Sequence, residues 1–178
     1  MPHFKSRLLI VLLCALGSFV SIAQQQTKNQ KALFEKIIFH TSACYGFCPV
    51  YHLEVNAKKE IKLLANEVFE LDSVENYKLD QKKIGSFYGK LDQKRFTKLN
   101  DALRKIGLDQ LKFDGQTCCD GSIITIIVYY QGKKKIFRSM FPPQEAQNLI
   151  SILYEICQKS NLKRAKSKFS IEDEGSDR

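Results

Sequence analysis

The sequence has 178 residues, 44% of them hydrophobic and 26% charged, and its formal net charge is +9. This length suits one domain with a hydrophobic core and excludes a chain of several ordinary domains. The basic charge fits nucleic acid, an anionic envelope surface or a well-solvated exterior, so charge alone assigns no partner.

The first 23 residues have the three-part pattern of a secretory signal peptide. Basic side chains precede an unbroken apolar run over residues 8–16, and Ser21 and Ala23 are small residues at the positions that signal peptidase reads. The whole apolar segment, residues 8–23, is shorter than the roughly 20 residues of a membrane-spanning helix. The pattern therefore favours cleavage after Ala23 over a retained anchor.

We expect the exported chain to reach the periplasm or the cell surface. After cleavage it should contain no membrane-spanning segment. Cleavage removes Lys5 and Arg7 but no acid, so the mature chain stays basic. Outside the cytoplasm nucleic acid is a poor candidate partner, and we expect an envelope component (protein, glycan or lipid) instead. The basic runs at residues 133–135 and 163–168 are either solvated or in contact with such anionic material.

The elements of the mature chain follow from its patterning. Residues 24–34 form a polar leader, and a single domain is predicted over residues 35–158. Apolar and polar side chains alternate over residues 49–56, as in a strand with one buried face. Residues 65–83 are ambiguous, and Gln131-Gly132 predicts the tight turn of a hairpin. The predicted strands are residues 35–41, 49–56, 60–64, 84–91, 123–130 and 133–138.

Two helices are predicted within this domain. Asp92 is the candidate N-cap of the first, whose apolar residues recur at helical spacing until Gly107. The second covers residues 144–158, with Cys157 on its apolar face as a small hydrophobe. Strand runs separated from helices are typical of an α+β fold, here an antiparallel sheet with both helices packed on one face. Residues 159–178 are charged and aperiodic, which predicts a disordered tail.

The most specific string is CYGFCPVY, residues 44–51. It resembles the Cys-aromatic-Gly-x-Cys-Pro-x-Tyr signature of DUF6438, a family of uncharacterised exported bacterial domains. In that family the signature follows a first strand, and a strand hairpin, a helix and a second hairpin come after it. The resemblance is tight over these eight residues and looser over residues 36–158. It implies export and this fold, but no activity.

The cysteines predict a structural disulfide bond. In an oxidising compartment disulfides persist, and the candidates for pairing are Cys44, Cys48, Cys118 and Cys119. The first two can bond each other, or cross to the second two and close a loop of roughly seventy residues, worth ~4 kcal/mol in the chain-entropy model. The five cysteines left after cleavage are an odd number, and Cys157 is the candidate free thiol.

A metal site is the alternative use of the first cysteine pair. His40, Cys44, Cys48 and His52 recur at every fourth residue, and two thiolates with two imidazoles suit zinc or copper. That spacing has meaning on a helix, whereas the glycine, the proline and the alternation that follow predict a loop and a strand. Thiol–disulfide chemistry is a third use, but no predicted helix N-terminus follows Cys48 to lower a thiol pKa.

No catalytic constellation stands out in the sequence. It contains no Ser/His/Asp order, Gly-rich phosphate loop or paired carboxylate motif. We therefore expect a non-enzymatic, disulfide-stapled module that binds or supports an envelope component and needs no cofactor. The alternative is a periplasmic protein that binds zinc or copper through the Cys44/Cys48 loop.

Overall fold

The computed structural model describes residues 31–70 and 78–173. The predicted signal peptide and residues 24–30 of the leader lie outside these described residues. From Ala32 onward the described residues belong to one compact unit. Within them, no helix has the length and apolar character needed to cross a bilayer.

Seven strands of the described chain form one antiparallel sheet: β1 (Lys36–Thr41), β2 (Val50–Asn56), β3 (Glu60–Glu67), β4 (Gly85–Lys90), β5 (Ile124–Tyr130), β6 (Lys133–Ser139) and β7 (Lys163–Arg164). Their spatial order is β6-β5-β1-β2-β3-β4-β7. The predicted α+β fold is confirmed, and the six predicted strands are all present. The near-continuous apolar runs of β1 and β5 suit interior strands of the sheet, which are buried along most of their length.

Two helices pack on one face of the sheet. Helix α1 (Gln93–Ile106) begins where Asp92 Oδ1 accepts a hydrogen bond from Arg95 N at 2.8 Å. It ends at Gly107, whose φ of 65° is the left-handed C-terminal conformation. Both caps predicted for this first helix, Asp92 and Gly107, are therefore confirmed. Helix α2 (Gln147–Lys159) follows a single 3-10 turn that covers the start of the predicted second helix.

The hydrophobic core lies between the helices and this face of the sheet. Leu53 and Val55 of β2 point into it and are fully buried, as the alternation predicted. Phe39 of β1 meets Tyr154 of α2 edge-on, with ring centroids 5.1 Å apart. Such aromatic pairs add to the stabilisation from burial, which is roughly 25 cal/mol per Å² of apolar surface.

The opposite side of the sheet, which we call the distal face, carries Lys36, Ile38 and His40 of β1. Its other members in the neighbouring strands are the cross-strand partners of these residues: His52, Glu54, Asn56, Thr125, Ile127 and Tyr129. Ile38 and Ile127 are fully buried. The centre of the distal face is therefore shielded from solvent.

The segment after α2 differs from the disorder predicted for it. Residues 163–164 form β7, which pairs with β4 at the edge of the sheet, and Ala165 N donates to a β4 carbonyl at 2.8 Å. Residues 165–173 then cross the distal face, where Glu172 reaches Lys36 of β1 at 2.7 Å. A two-residue strand and one charged contact have no sequence period, so pattern analysis does not detect them.

A glycine on β4 lets this segment lie against the sheet. A Cβ on Gly89 would come 2.6 Å from Leu162 Cδ2 and 3.3 Å from Asn161 O. A side chain there would push the segment away from β4, because real Cβ atoms do not approach other atoms so closely.

The ambiguous stretch over residues 65–83 continues the strand before it. Strand β3 extends to Glu67, and an isolated bridge then joins Phe69 to Leu79. Residues 71–77 lie outside the described part of the chain.

Candidate functional site

The CYGFCPVY string forms the loop between β1 and β2, and Cys44 and Cys48 are bonded to each other within it. Their Cα atoms are 5.6 Å apart. Gly46, between them, has a φ of 151°, a conformation that residues with side chains rarely adopt. Glycine therefore allows the chain to reverse between the cysteines. Of the predicted pairings, the structure contains the local one.

A buried threonine joins the two strands at the base of this loop. Thr41 Oγ1 donates to the carbonyl of Pro49 at 2.6 Å and accepts from Tyr51 N at 2.9 Å. The paired residues of β1 and β2 end at His40 and His52, so the hydroxyl continues the cross-strand connection where the regular pairing stops. The loop is held by this hydroxyl at its base and by the disulfide above it.

The β1–β2 loop with its Cys44–Cys48 disulfide is called the stapled loop below. The loop that carries Cys118 and Cys119 lies beside it. Tyr45 N donates to the carbonyl of Asp120 at 3.0 Å. Both cysteines are exposed free thiols, so the predicted cross pairing is not formed. Hydrogen bonding to Cys119 raises the pKa of Cys118, which reduces the thiolate that thiol–disulfide exchange requires.

Cys157 lies on the buried face of α2, in agreement with its predicted place on the apolar side of the helix. Burial raises the pKa of its thiol. Burial also raises the pKa of Tyr51 to about 12, with a smaller contribution from Cys157. A neutral thiol in the core acts as a small apolar group and is not a nucleophile.

The histidines His40 and His52 meet on the distal face, because the antiparallel register places them directly opposite each other. Their Nδ1 atoms are 2.8 Å apart. His40 Nε2 lies 2.9 Å from the Glu172 carbonyl oxygen, and His52 Nε2 lies 3.2 Å from Asn66 Nδ2. With both rings neutral, one set of tautomers satisfies all three contacts. Asn66 donates to His52, His52 donates to His40, and His40 donates to the Glu172 carbonyl.

The surroundings of the histidine pair favour these neutral forms. Burial lowers the pKa of His40, and the neighbouring His52 lowers it further. Burial also lowers the pKa of His52. The pair is therefore a set of hydrogen-bonding groups that connects the sheet to the tail, without a net charge near neutral pH.

The zinc or copper interpretation combined these histidines with Cys44 and Cys48. The structure brings the two histidines together and, separately, the two cysteines. The sulfurs are bonded to each other and so are not the thiolates that such a site needs. Among the described residues, no three His, Cys, Asp or Glu side chains are grouped to hold a metal ion.

A second cluster on the distal face, which we call the carboxylate cage, consists of Lys36, Tyr129 and Lys134 around Glu172. Lys36 Nζ donates to Glu172 Oε2 at 2.7 Å. The other carboxylate oxygen accepts from the Tyr129 hydroxyl and lies 3.1 Å from Lys134 Nζ. Both ammonium groups also lie over the Tyr129 ring, 4.5 Å and 5.7 Å from its centroid. Both oxygens of one carboxylate are thus held by side chains from three strands.

The cage is half-buried, which strengthens its ionic contacts relative to those on an open surface. The side chain of Glu172 is 18% exposed. Burial by itself would raise the pKa of the Glu172 carboxyl, but hydrogen bonds from Lys36, Tyr129 and Lys134 outweigh it and lower the pKa to about 2. Glu172 therefore stays ionised at every pH at which the domain is expected to work.

The sequence pattern did not predict this cage. Lys134 belongs to the basic run at residues 133–135, which was predicted only to be solvated or in contact with anionic material. Strand alternation places Lys36 on the same side as His40, and this was a usable signal for a polar sheet face. Glu172 lay in a segment predicted to be disordered, so nothing in the sequence indicated its partner.

Residues 35–158 match the family model described as "Domain of unknown function (DUF6438)". The chain belongs to the DUF6438 family. The match confirms the predicted resemblance and includes the stapled loop, the histidine pair and the three cage residues from the sheet. Strand β7 and Glu172 follow the residues that match the DUF6438 model. A search of the curated proteins gives no match to the chain.

Proposed function

We propose that this DUF6438 domain is an exported, non-enzymatic module that binds or supports another component of the bacterial envelope. The observation that carries the proposal is the Cys44–Cys48 disulfide in the β1–β2 loop. Structural disulfides persist in oxidising compartments and are rare in the cytosol, where thiols are kept reduced. A periplasmic or cell-surface location is therefore the setting in which this loop keeps its shape.

The stapled loop has the properties of a binding surface. It presents Tyr45, a residue that is 88% exposed. Tyrosine is enriched among the residues that contribute most to binding at protein interfaces. A disulfide and a buried threonine limit the conformations of the loop, so binding through it would cost little ordering entropy.

Four titratable groups with shifted pKa values, namely His40, His52, Glu172 and Cys157, support a role other than catalysis. His40 and His52 bond each other, Glu172 is held by two lysines and a tyrosine, and Cys157 is enclosed in the core. Each of these groups is engaged in a structural contact. A general acid or base needs its proton-transfer atom within reach of a substrate, and these contacts occupy that atom.

The test combines fractionation with thiol counting. The full chain is expressed with its own N-terminus in a bacterial host, and the periplasmic fraction is analysed by intact-mass spectrometry after alkylation in denaturant. We expect a chain that begins at Gln24, with Cys118, Cys119 and Cys157 alkylated before reduction and two more cysteines alkylated after it. A Cys44→Ser/Cys48→Ser variant is the control, because reduction should add no further label to it.

Two results would contradict the proposal. Recovery of the uncleaved chain in the cytoplasmic fraction would contradict the proposed export. Alkylation of all five thiols of a periplasmic chain before reduction would contradict the disulfide.

A further inference from the structure

The cations and the anion of the carboxylate cage come from different parts of the chain. Lys36, Tyr129 and Lys134 belong to the residues that match the DUF6438 family model, whereas Glu172 belongs to the tail beyond them. The sheet thus supplies a cation-lined receptor, and the tail supplies the anion. We propose that the cage binds a glutamate side chain of an extended peptide, and that the chain's own tail occupies it in cis.

The contacts in the cage select a peptide over a free anion. The two lysines and Tyr129 hold both oxygens of the Glu172 side chain, and His40 Nε2 donates to the backbone carbonyl of the same residue at 2.9 Å. One residue is therefore recognised through its side chain and its main chain together. A free carboxylate or phosphate ion has no second group at the position of that carbonyl.

The sheet side of the cage carries the two ammonium groups of Lys36 and Lys134. The nearby acid of the distal face, Glu54, is paired with Lys62 at 3.1 Å. Lys36 and Lys134 both contact the carboxylate of Glu172, at 2.7 Å and 3.1 Å. Two half-buried ammonium groups over one aromatic ring attract an anion, since bringing them close together without one is unfavourable.

The tail is attached in a way that allows its release. Every one of the described residues 165–173 keeps part of its surface in solvent, and five of the nine are exposed. Two of their contacts with the sheet lie near the ends of the segment. Ala165 N donates a hydrogen bond to β4, and Glu172 is held in the cage. Segments with few buried contacts open at low free-energy cost.

A tethered ligand competes strongly with a free one. A short tether gives the tail an effective concentration in the mM range at the cage, so a peptide in solution meets an occupied site. Releasing Glu172 from the cage should therefore increase the affinity of the protein for a peptide added in trans. The inference rests on the proposed binding role and names the site and the ligand class.

The experiment uses the full mature chain and a capped, fluorescent peptide with the sequence of residues 165–173, AKSKFSIED. Its side chains carry equal numbers of positive and negative charges, so general attraction to a basic protein is small. Glu172→Lys adds a third cation to the cage and expels the tail. Glu145→Lys, on the exposed 3-10 turn, makes the same change of charge far from the distal face and is the matched control.

Fluorescence anisotropy should show the peptide binding at least about tenfold more tightly to Glu172→Lys than to the wild-type chain, because a competitor with an effective concentration in the mM range has been removed. The Glu145→Lys variant should behave as the wild type. Adding Lys134→Met to Glu172→Lys should abolish the gain, as should a peptide with Gln in place of its Glu. Glu172→Gln, which preserves the size of the residue, is the second releasing variant and should give a smaller gain.

Equal affinities for the wild-type, Glu172→Lys and Glu172→Gln chains would overturn the inference. Equal binding of the Glu and Gln peptides would also overturn it, because recognition would then not depend on the carboxylate. These measurements use purified protein and do not depend on export or on the disulfide. Their failure is thus distinguishable from failure of the fractionation and thiol-counting test.

Discussion

His40 and His52 face each other across β1 and β2, with their Nδ1 atoms 2.8 Å apart. Three hydrogen bonds in a row, from Asn66 through both rings to the Glu172 carbonyl, require one defined tautomer on each ring. A proton added at His40 Nδ1 would place two donors against each other. The arrangement therefore makes the contact between sheet and tail sensitive to pH.

Stability should fall as the pH is lowered through the range below 6.5. The pKa of both histidines is lowered in the folded chain, so the unfolded chain binds protons first as the pH drops from the ordinary histidine value of 6.5. The free energy of unfolding is then highest above that value and declines below it. The neighbouring carboxylates of Glu172 and Asp173 favour the protonated rings but do not outweigh burial.

Thermal unfolding at about pH 7.5 and about pH 5.5 measures this dependence across the histidine range. The melting temperature of the wild-type chain should fall more between these values than that of a His40→Gln variant. The sequence has one other histidine, His3, which lies in the predicted signal peptide. An equal fall in both proteins would assign the pH dependence to other groups.

The disulfide should contribute a modest amount to stability, because its two cysteines are only four residues apart. The chain-entropy model gives about 2 kcal/mol for so short a loop, against about 4 kcal/mol for a bridge from the first loop to Cys118 or Cys119. Denaturant unfolding should show a loss near the smaller figure for Cys44→Ser/Cys48→Ser. The control Cys118→Ser should change stability by less than about 0.5 kcal/mol. A large loss for Cys118→Ser would indicate the cross pairing.

The N-cap of α1 should be measurable in the same assay. Asp92 accepts a hydrogen bond from Arg95 N, which would otherwise lack a partner in the first turn. Asp92→Ala should lower the free energy of unfolding by about 1 kcal/mol, and Asp92→Asn, which keeps an acceptor, should lower it much less. Equal losses for the two variants would point to the ion pair with Arg95 instead of the cap.

The packing of α2 on the sheet predicts a larger effect. Leu153 is completely buried in the core. Leu153→Ala should lower the free energy of unfolding by about 2–5 kcal/mol, through lost burial and the cavity that remains. Ile136→Ala, on the exposed side of β6, is the control and should cost far less, since that side chain is 41% exposed. Similar costs at the two positions would contradict this placement of α2.

Local patterning predicted much of the fold because each signal depends on nearby residues. The alternation over residues 49–56 predicted which side of β2 is buried, since successive side chains of a strand point to opposite faces. Asp92 and Gly107 marked both ends of α1, because unpaired amides and a left-handed residue have strong local preferences. The CYGFCPVY string indicated the family on eight residues alone.

The pairing of the cysteines and the composition of the distal face depended on tertiary structure. Both disulfide arrangements suited the sequence, and only the path of the loop around Gly46 places Cys44 and Cys48 in bonding contact. His40 and His52 lie twelve residues apart on different strands, and the β1–β2 register brings their rings together.

The carboxylate cage is the clearest case of this division. Its lysines and tyrosine come from strands that are distant in sequence, and its glutamate comes from a tail without periodicity. The sequence by itself indicated the family through one short string. It also determined six of the seven described strands, both helices and the caps of α1, because these follow from contacts between near neighbours. Only the tertiary structure decided that the tail crosses the sheet, since a salt bridge between residues 136 positions apart leaves no pattern in the chain.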